Sequence, residues 1–187
     1  MKIRYFSRPI ATLRKIFPLC TMIPVALDPS RLRIAVAGGG PASARRLAEL
    51  RAAGAEPLPI PPEPAFLPPL DLLWIADLPP DRAAPLVAAA HAQHTLVNVE
   101  DQLALCDFRN VALLRRGDLL IAVSTNGQSP GLAAAVRDRI AALIGPEWAA
   151  RTAALGARRR AWRAAGRTLP ELARLTSALL ARSGWLA

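Results

Sequence analysis

One stretch constrains the fold more than any other: Arg33-Ile-Ala-Val-Ala-Gly-Gly-Gly-Pro-Ala-Ser43. A short β-type run, Ile34 to Ala37, leads directly into three glycines, and a helix-forming stretch follows from Ala44 to Ala53. Glycine permits positive φ and close approach to the backbone, and a helix that begins here presents free N–H groups to an anion. The order of strand, glycine turn and helix predicts the start of a dinucleotide-binding βαβ unit, with a plain strand-to-helix turn as the alternative.

The candidate cofactor-binding residues follow from this turn and from the strand predicted after it. Because the backbone of the turn would approach a pyrophosphate, the first set is Gly38, Gly39, Gly40, Pro41 and Ala42. The third small position of the pattern is Ser43 rather than glycine or alanine. No acidic residue ends the next predicted strand, 56–60, where one would hold a ribose, so the later Pro62 and Glu63 are the nearest candidates.

The charge of the chain is strongly positive and comes almost wholly from arginine. The net charge is +10 over 187 residues, and Lys2 and Lys15 are the only lysines. The arginines are scattered over several predicted helices without interleaved aromatic residues, so nucleic acid is a disfavoured partner. A small molecule with many negative charges would also be attracted to this surface.

Cysteine usage and hydropathy favour the cytoplasm. Cys20 and Cys106 form neither a paired motif nor a disulfide framework. No apolar run reaches the roughly 18 residues that a membrane span requires, so we expect no membrane association. Residues 1–21 differ in composition from the rest, and we expect them to be a disordered extension or a misassigned start ahead of Met22.

The remaining pattern predicts an α/β domain over residues 22–128 and a helical region over 129–187. A proline-rich stretch, 57–69, is expected to be loop or edge because proline cannot donate to a sheet ladder. Further strands are predicted over 71–76, 95–99, 111–115 and 119–124, and helices over 80–93, 131–144, 147–165 and 169–182.

Asp101 is the candidate catalytic residue. It follows the strand predicted over 95–99, at the sheet edge where open α/β folds bind their ligands. A carboxylate there could exchange a proton with a substrate or help to hold a metal ion. The alternative is an aspartate that caps a helix in a strand-to-helix loop.

A hydroxyl- and amide-rich loop, 124–130, is the candidate substrate-binding segment. Ser124, Thr125, Asn126 and Ser129 lie in this loop, and Ser129 is the expected N-cap of the next helix. A simple capped loop is the alternative. His91 and His94 have no third ligand nearby, so no metal site is predicted.

Together these segments resemble the precorrin-2 dehydrogenase / sirohydrochlorin ferrochelatase family, the siroheme synthase module without its methyltransferase domain. The matching segments are Val36-Ala-Gly-Gly-Gly40 with Arg45-Arg46, Asn98-Val-Glu-Asp101, Cys106-Asp-Phe108, Leu120-Ile-Ala-Val-Ser-Thr-Asn-Gly-Gln-Ser-Pro130 and Arg158-Arg-Arg-Ala-Trp162. The resemblance covers residues 22–163.

The resemblance implies a Rossmann-like NAD-binding domain followed by a helical region for dimerisation and substrate binding, and hence a homodimer. It implies removal of a hydride and a proton from precorrin-2, which gives sirohydrochlorin and NADH, with Asp101 in the catalytic role. Insertion of ferrous iron, as a substrate, into sirohydrochlorin is a second activity that the resemblance raises. The polycarboxylate substrate would account for the arginine-rich surface.

Three departures from the family pattern all fall on the nucleotide side. The segment between Gly54 and Asp71 is short and proline-rich, the loop after the next strand reads Ala76-Asp-Leu-Pro-Pro80 instead of an Ala-Thr-Asp type, and no acid ends the second strand. The alternative function is therefore a degenerate relative that binds a tetrapyrrole or nucleotide without turnover.

Overall fold

The structure of the chain, a computed structural model, describes residues 22–186. These residues divide into two compact units between Asn110 and Val111. The extension expected over residues 1–21 lies outside the described residues.

The first unit is built on a four-stranded parallel sheet in the order β2-β1-β3-β4. Helix α1 connects β1 to β2, and helix α2 connects β3 to β4. This arrangement confirms the predicted α/β class. The bounds are β1 (Ile34–Ala37), α1 (Pro41–Ala52), β2 (Leu58–Ile60), β3 (Leu72–Ile75), α2 (Pro80–Ala92) and β4 (Leu96–Val99).

The core lies around the two central strands, β1 and β3. All four residues of β1 are at most 5% exposed, which is why this strand reads as a continuous apolar run rather than as an alternating one. On one face of the sheet, Leu73 and Val97 belong to a cluster with Val87 of α2. On the other face, Leu50 of α1 packs against a smaller cluster that includes Leu72.

The proline-rich segment borders the sheet without adding a regular element after β2. Pro59 lies within β2, opposite Val36, and is tolerated because β2 is an edge strand with only one hydrogen-bonded side. Residues 61–71 form neither helix nor strand, as their proline content predicts. Leu67 and Leu70 of this segment are nevertheless buried in the core, so the loop covers part of the sheet.

The second unit combines an antiparallel hairpin with three helices. The hairpin turns at Gly117, whose φ of 58° suits glycine, and α3 packs on both of its strands while α4 packs on α5. Every helix within residues 22–186 is too short or too polar to span a bilayer. The bounds are β5 (Ala112–Arg116), β6 (Leu119–Val123), α3 (Pro130–Leu143), α4 (Trp148–Ala164) and α5 (Leu169–Ser183).

The division of the chain differs from the boundary expected after residue 128. The structure divides it between Asn110 and Val111, so that the hairpin belongs with the helices. The physical reason is that, in the part of the chain that the structure describes, β5 and β6 pair with each other and pack against α3 rather than extending the parallel sheet. The sequence of a segment can predict that it forms a β-strand, but it does not determine which other strand it pairs with.

The buried parallel sheet predicts a large difference between two leucine truncations. Leu73 is completely buried at the centre of β3, whereas Leu58 on the edge strand is 47% exposed. We expect Leu73→Ala to lower the free energy of unfolding by about 2–5 kcal/mol, because it leaves a cavity, and the matched control Leu58→Ala to lower it by less than about 1 kcal/mol. Urea unfolding followed by circular dichroism measures both, and equal losses would contradict this placement of the core.

Candidate functional site

The candidate site lies at the carboxyl edge of the parallel sheet. β2 lies on one side of β1 in the sheet, and β3 lies on the other side of β1. The loops after β1 and β3 therefore flank a topological switch point, which is where open α/β sheets bind ligands. A cavity of about 630 Å³ opens at this edge, entirely within the first unit. It is lined by Ala42, Arg45, Asp77, Leu78, Pro79, Pro80, Glu100, Asp101 and Gln102.

The glycine turn after β1 is required by close packing as well as by backbone conformation. Gly38 has a φ of +143°, and a Cβ there would lie 2.2 Å from the carbonyl oxygen of Ala76. A Cβ on Gly39 would lie 3.2 Å from Cγ of Pro62, which brings the predicted residue Pro62 beside the turn. The predicted glycines are therefore gathered where α1 begins.

Asp77 places its carboxylate directly on the N–H groups at the start of α1. Its oxygens accept hydrogen bonds from the main-chain nitrogens of Gly40 (3.1 Å), Ala42 (3.1 Å) and Ser43 (2.8 Å). The Gly40 N–H is shared with the hydroxyl of Ser43. The main-chain bond from Ser43, followed by its side-chain bond and the bonds from Ala42 and Gly40, lowers the pKa of Asp77.

Sequence reasoning missed Asp77 as a site residue. Asp77 lies two positions beyond the end of β3 and has a φ of +60°, a left-handed conformation that aspartate tolerates better than most residues. The signal in the sequence is an acidic residue just after β3, the strand that pairs with β1 and so ends beside the glycine turn. The distance of Asp77 from the turn along the chain obscured their contact.

Asp101 has a different environment at the same edge. It follows β4 by two residues, has a φ of +59° and is exposed to solvent. Among the described residues, its carboxylate has no hydrogen-bond or ion-pair partner. Gln102, not Asp101, occupies the N-cap of the one-turn helix Leu103–Leu105, so the alternative of a helix-capping aspartate does not hold.

The neighbouring charged groups of the cavity are paired with each other. Arg45 on α1 donates to the carboxylate of Glu100 at 2.6 Å. This pair links α1 to the end of β4 next to Asp101. Among the described residues, Asp101 is therefore left as an unpaired carboxylate beside a paired one.

A buried polar network anchors the strand that leads to Asp101. The side-chain amide of Asn98 in β4 donates to the carbonyl oxygen of Phe108 at 2.8 Å, and the N–H of Val99 donates to Sγ of Cys106 at 3.2 Å. Burial raises the pKa of the Cys106 thiol, which favours its protonated form. The Asn98 and Cys106 side chains thus stabilise the loop after β4 rather than supplying a nucleophile.

Glu63, the second ribose candidate, is engaged by α2. Its carboxylate lies 2.7 Å from the guanidinium of Arg82, and its side chain is largely exposed. Glu63 follows β2 by three residues, later than an acid that ends the strand would. The structure thus brings Pro62 to the turn and pairs Glu63 with a neighbouring helix.

In the second unit, the predicted substrate loop uses three of its hydroxyl groups in internal hydrogen bonds. Ser129 caps α3, as predicted, by accepting from the N–H of Leu132 at 3.1 Å. The hydroxyl of Thr125 accepts from the N–H of Ser129 and donates to its carbonyl oxygen. The N–H of Asn126 donates to the hydroxyl of Ser124 at 3.1 Å. These bonds give the loop a defined shape at the start of α3.

The arginine-rich segment of the second unit lines a separate groove of about 310 Å³. Arg158 of α4 and Arg182 of α5 contribute to it, together with Trp185. The guanidinium of Arg151 lies 5.6 Å from the ring centroid of Trp185, at cation–π distance.

The histidines have no shared role. His91 bonds through Nε2 to the carboxylate of Asp107 at 2.8 Å, and the same carboxylate accepts from the N–H of Val97. Within residues 22–186, no three His, Cys, Asp or Glu side chains converge as a group that could hold a metal ion.

The lowered pKa of Asp77 predicts a pH-dependent contribution to stability. A carboxylate whose pKa is lower in the folded than in the unfolded chain stabilises the fold above its ordinary pKa, and this contribution is lost as the pH falls through the folded pKa. We therefore expect the unfolding free energies of wild type and Asp77→Asn to differ most at neutral pH and to converge in acid. Urea titrations at a series of pH values measure the difference, with Asp81→Asn as the charge-matched control. A difference that is independent of pH would contradict the prediction.

Segments of the chain are similar in sequence to proteins of siroheme biosynthesis. The family model described as "Sirohaem biosynthesis protein central" matches residues 116–143, which span β6, the serine-rich loop and α3. Siroheme synthase 1 of Klebsiella pneumoniae is 44% identical over 57 residues, which cover 30% of this chain and 12% of that protein. Siroheme synthase 1 of Yersinia enterocolitica is 28% identical over 178 residues, which cover 75% of this chain and 37% of that protein.

The fold has a solved counterpart as well. The structure of SirC, a precorrin-2 dehydrogenase, superposes with a TM-score of 0.70 over 89% of this chain and 93% of that chain, at 19% identity. The chain spans well under half the length of the two siroheme synthases, while it matches nearly the whole of this structure. The chain is therefore similar in sequence to siroheme synthases and similar in fold to the precorrin-2 dehydrogenase SirC.

Proposed function

We propose that this protein catalyses the NAD-dependent dehydrogenation of precorrin-2 to sirohydrochlorin in the cytoplasm. The observation that carries the proposal is Asp101, whose carboxylate has no partner within residues 22–186. It lies in the cavity at the carboxyl edge of the sheet, one strand beyond the switch point. SirC, whose fold the chain shares, is a precorrin-2 dehydrogenase.

In the proposed reaction, precorrin-2 loses one hydride and one proton. NAD, when bound, would be the acceptor of the hydride. Asp101 accepts the proton, because its exposed carboxylate has no competing cation or N–H donor among the described residues. Glu100 is less suited to this role because its carboxylate is already paired with the guanidinium of Arg45 at 2.6 Å.

The residues proposed to hold the cofactor are those of the glycine turn and its neighbours. The main-chain N–H groups at the start of α1 suit an anion, since the Asp77 carboxylate already binds there. The backbone of residues 38–42 would face the pyrophosphate, with Pro62 beside the turn and Glu63 further along the same loop.

The substrate is proposed to bind through its carboxylates to positive groups and N–H donors. Ser124, Thr125, Asn126 and Ser129 shape the loop at the N-terminus of α3, which favours negative charge. The net charge of +10 would attract a polycarboxylate from solution. Ferrous iron is the proposed second substrate, inserted into sirohydrochlorin.

A second candidate function is binding of a tetrapyrrole or nucleotide without turnover. The observation that favours tetrapyrrole binding without turnover is the Asp77 carboxylate, which occupies the N–H groups that the pyrophosphate of a hydride-accepting nucleotide would use. The two candidates differ in hydride transfer, because only an enzyme reduces NAD in the presence of precorrin-2.

Anaerobic turnover tests the proposed function. Precorrin-2 and NAD are mixed with the purified protein, and NADH and sirohydrochlorin are followed by absorbance. We expect Asp101→Asn to lower the rate about 10²- to 10⁴-fold, since it removes the proton acceptor while asparagine suits the left-handed backbone. The control is Asp118→Asn, which neutralises an exposed carboxylate in the turn of the β5–β6 hairpin.

The possible results separate the candidates. Turnover that survives Asp101→Asn keeps the dehydrogenase and removes Asp101 from the mechanism. If folded wild-type protein shows no turnover while precorrin-2 stays intact, the proposed dehydrogenase activity is contradicted and binding without turnover remains as the candidate function.

We also propose that the protein is a homodimer through its second unit. Helix α3 exposes Leu132, Val136 and Leu143, which recur on one side of the helix, and the hairpin exposes Leu113 and Leu120 on one face. A second copy that covered these side chains would remove them from water.

The dimer is tested by a charged substitution on the exposed face of the hairpin. We expect the wild type to have the mass of a dimer and Leu113→Glu to have the mass of a monomer in size-exclusion chromatography with light scattering. The reason is that burying an unpaired carboxylate in the interface costs free energy. The matched control is Leu58→Glu on the first unit, at the same 47% exposure. A monomeric wild type, or a Leu113→Glu variant that stays dimeric, would count against this interface.

A further inference from the structure

Asp77 links two loops on opposite sides of the switch point. It follows β3, and its carboxylate accepts three main-chain N–H bonds from the turn and helix that follow β1. Two of these donors, from Ala42 and Ser43, belong to the first turn of α1, where N–H groups have no partner within the helix. The contact therefore satisfies the donors by which this edge of the sheet would bind an external anion.

The carboxylate and an external phosphate cannot use these donors together. A Cβ added to Gly40 would lie 2.6 Å from Cγ of Asp77 and within 3 Å of both its carboxylate oxygens. The space immediately above the turn is thus already filled by an anionic group. A phosphate at the same N–H groups would also face the negative charge of Asp77 at contact distance.

The carboxylate can leave without disturbing the core. Asp77 is exposed, and its side chain has no described bond other than those to the start of α1. Rotation of the side chain would place the carboxylate in water and free the three N–H groups. The backbone at Asp77, already left-handed, would not need to change.

We propose that Asp77 is an internal competitor of the cofactor. The Asp77 carboxylate must leave the start of α1 before the diphosphate of a nucleotide can bind there. This inference rests on the proposed nucleotide-dependent function of the same site. Only the protein molecules in which the Asp77 carboxylate has left the N–H groups can bind the diphosphate. The apparent affinity for the nucleotide is therefore the intrinsic affinity multiplied by the fraction of such molecules. A carboxylate that occupies the donors about nine-tenths of the time lowers the affinity about tenfold.

Calorimetric titration of two probes, NAD and inorganic pyrophosphate, tests the competition in the full chain. Asp77→Gly removes the side chain and suits the left-handed backbone, and Asp77→Asn removes the charge at nearly constant size. We expect Asp77→Gly to bind both probes at least about tenfold more tightly than wild type, with Asp77→Asn also tighter.

The matched control is Asp81→Asn, which removes one negative charge in the first turn of α2, outside the described bonds to the glycine turn. We expect its affinities to stay within about twofold of wild type. A gain of the same size in Asp81→Asn would assign the effect to net charge and overturn the competition.

The two probes distinguish failure of the inference from failure of the proposed function. Tighter pyrophosphate binding by Asp77→Gly, with no NAD binding by any variant, supports the competition and removes the NAD-dependent function. Folded Asp77→Gly that binds pyrophosphate no better than wild type, or not at all, overturns the competition, whatever the turnover of wild type with NAD. If Asp77→Gly does not fold, the affinity of Asp77→Asn for pyrophosphate decides in the same way.

Discussion

The first unit depends on strand β1, which is hydrogen-bonded on both edges and buried on both faces. β2 and β3 pair with it in parallel, and its residues Ile34–Ala37 are all buried. Such a strand can carry only apolar side chains, so it can supply no chemistry of its own. The polar groups of the first unit's site accordingly come from the loops at the carboxyl edge, and Gly38 is where the chain leaves the sheet.

Three carboxylates gather at that edge in three environments. Asp77 is satisfied by main-chain N–H donors, Glu100 is paired with Arg45, and Asp101 has no partner among the described residues. The first arrangement stabilises negative charge through dipoles and the second through a cation. Only the third leaves carboxylate oxygens that no described donor or cation engages, and this difference supports assigning the acid–base role to Asp101.

The carboxyl edge of the sheet shows why similarity to known proteins does not by itself determine the function of this chain. Its sequence and fold relate it to siroheme synthases and to a precorrin-2 dehydrogenase, yet the loop after β3 places an aspartate on the start of α1. An anion-binding helix terminus does not distinguish an internal carboxylate from a cofactor phosphate, because both are bound by the same N–H groups. The affinity for a nucleotide is then set by the difference between the two interactions.

The sequence by itself determined the elements formed by neighbouring residues. The apolar run of β1, the glycines after it and the Ser129 cap of α3 are local patterns, and each was predicted before any tertiary contact was known. Asp101 was found in the same way, since its place after β4 follows from the chain order. Only the tertiary structure decided that the hairpin joins the helices of the second unit, and that Asp77 contacts a turn 34 to 37 residues away in sequence. The physical reason is that strand partners and long-range hydrogen bonds are chosen by packing in space, which leaves no periodic signal along the chain.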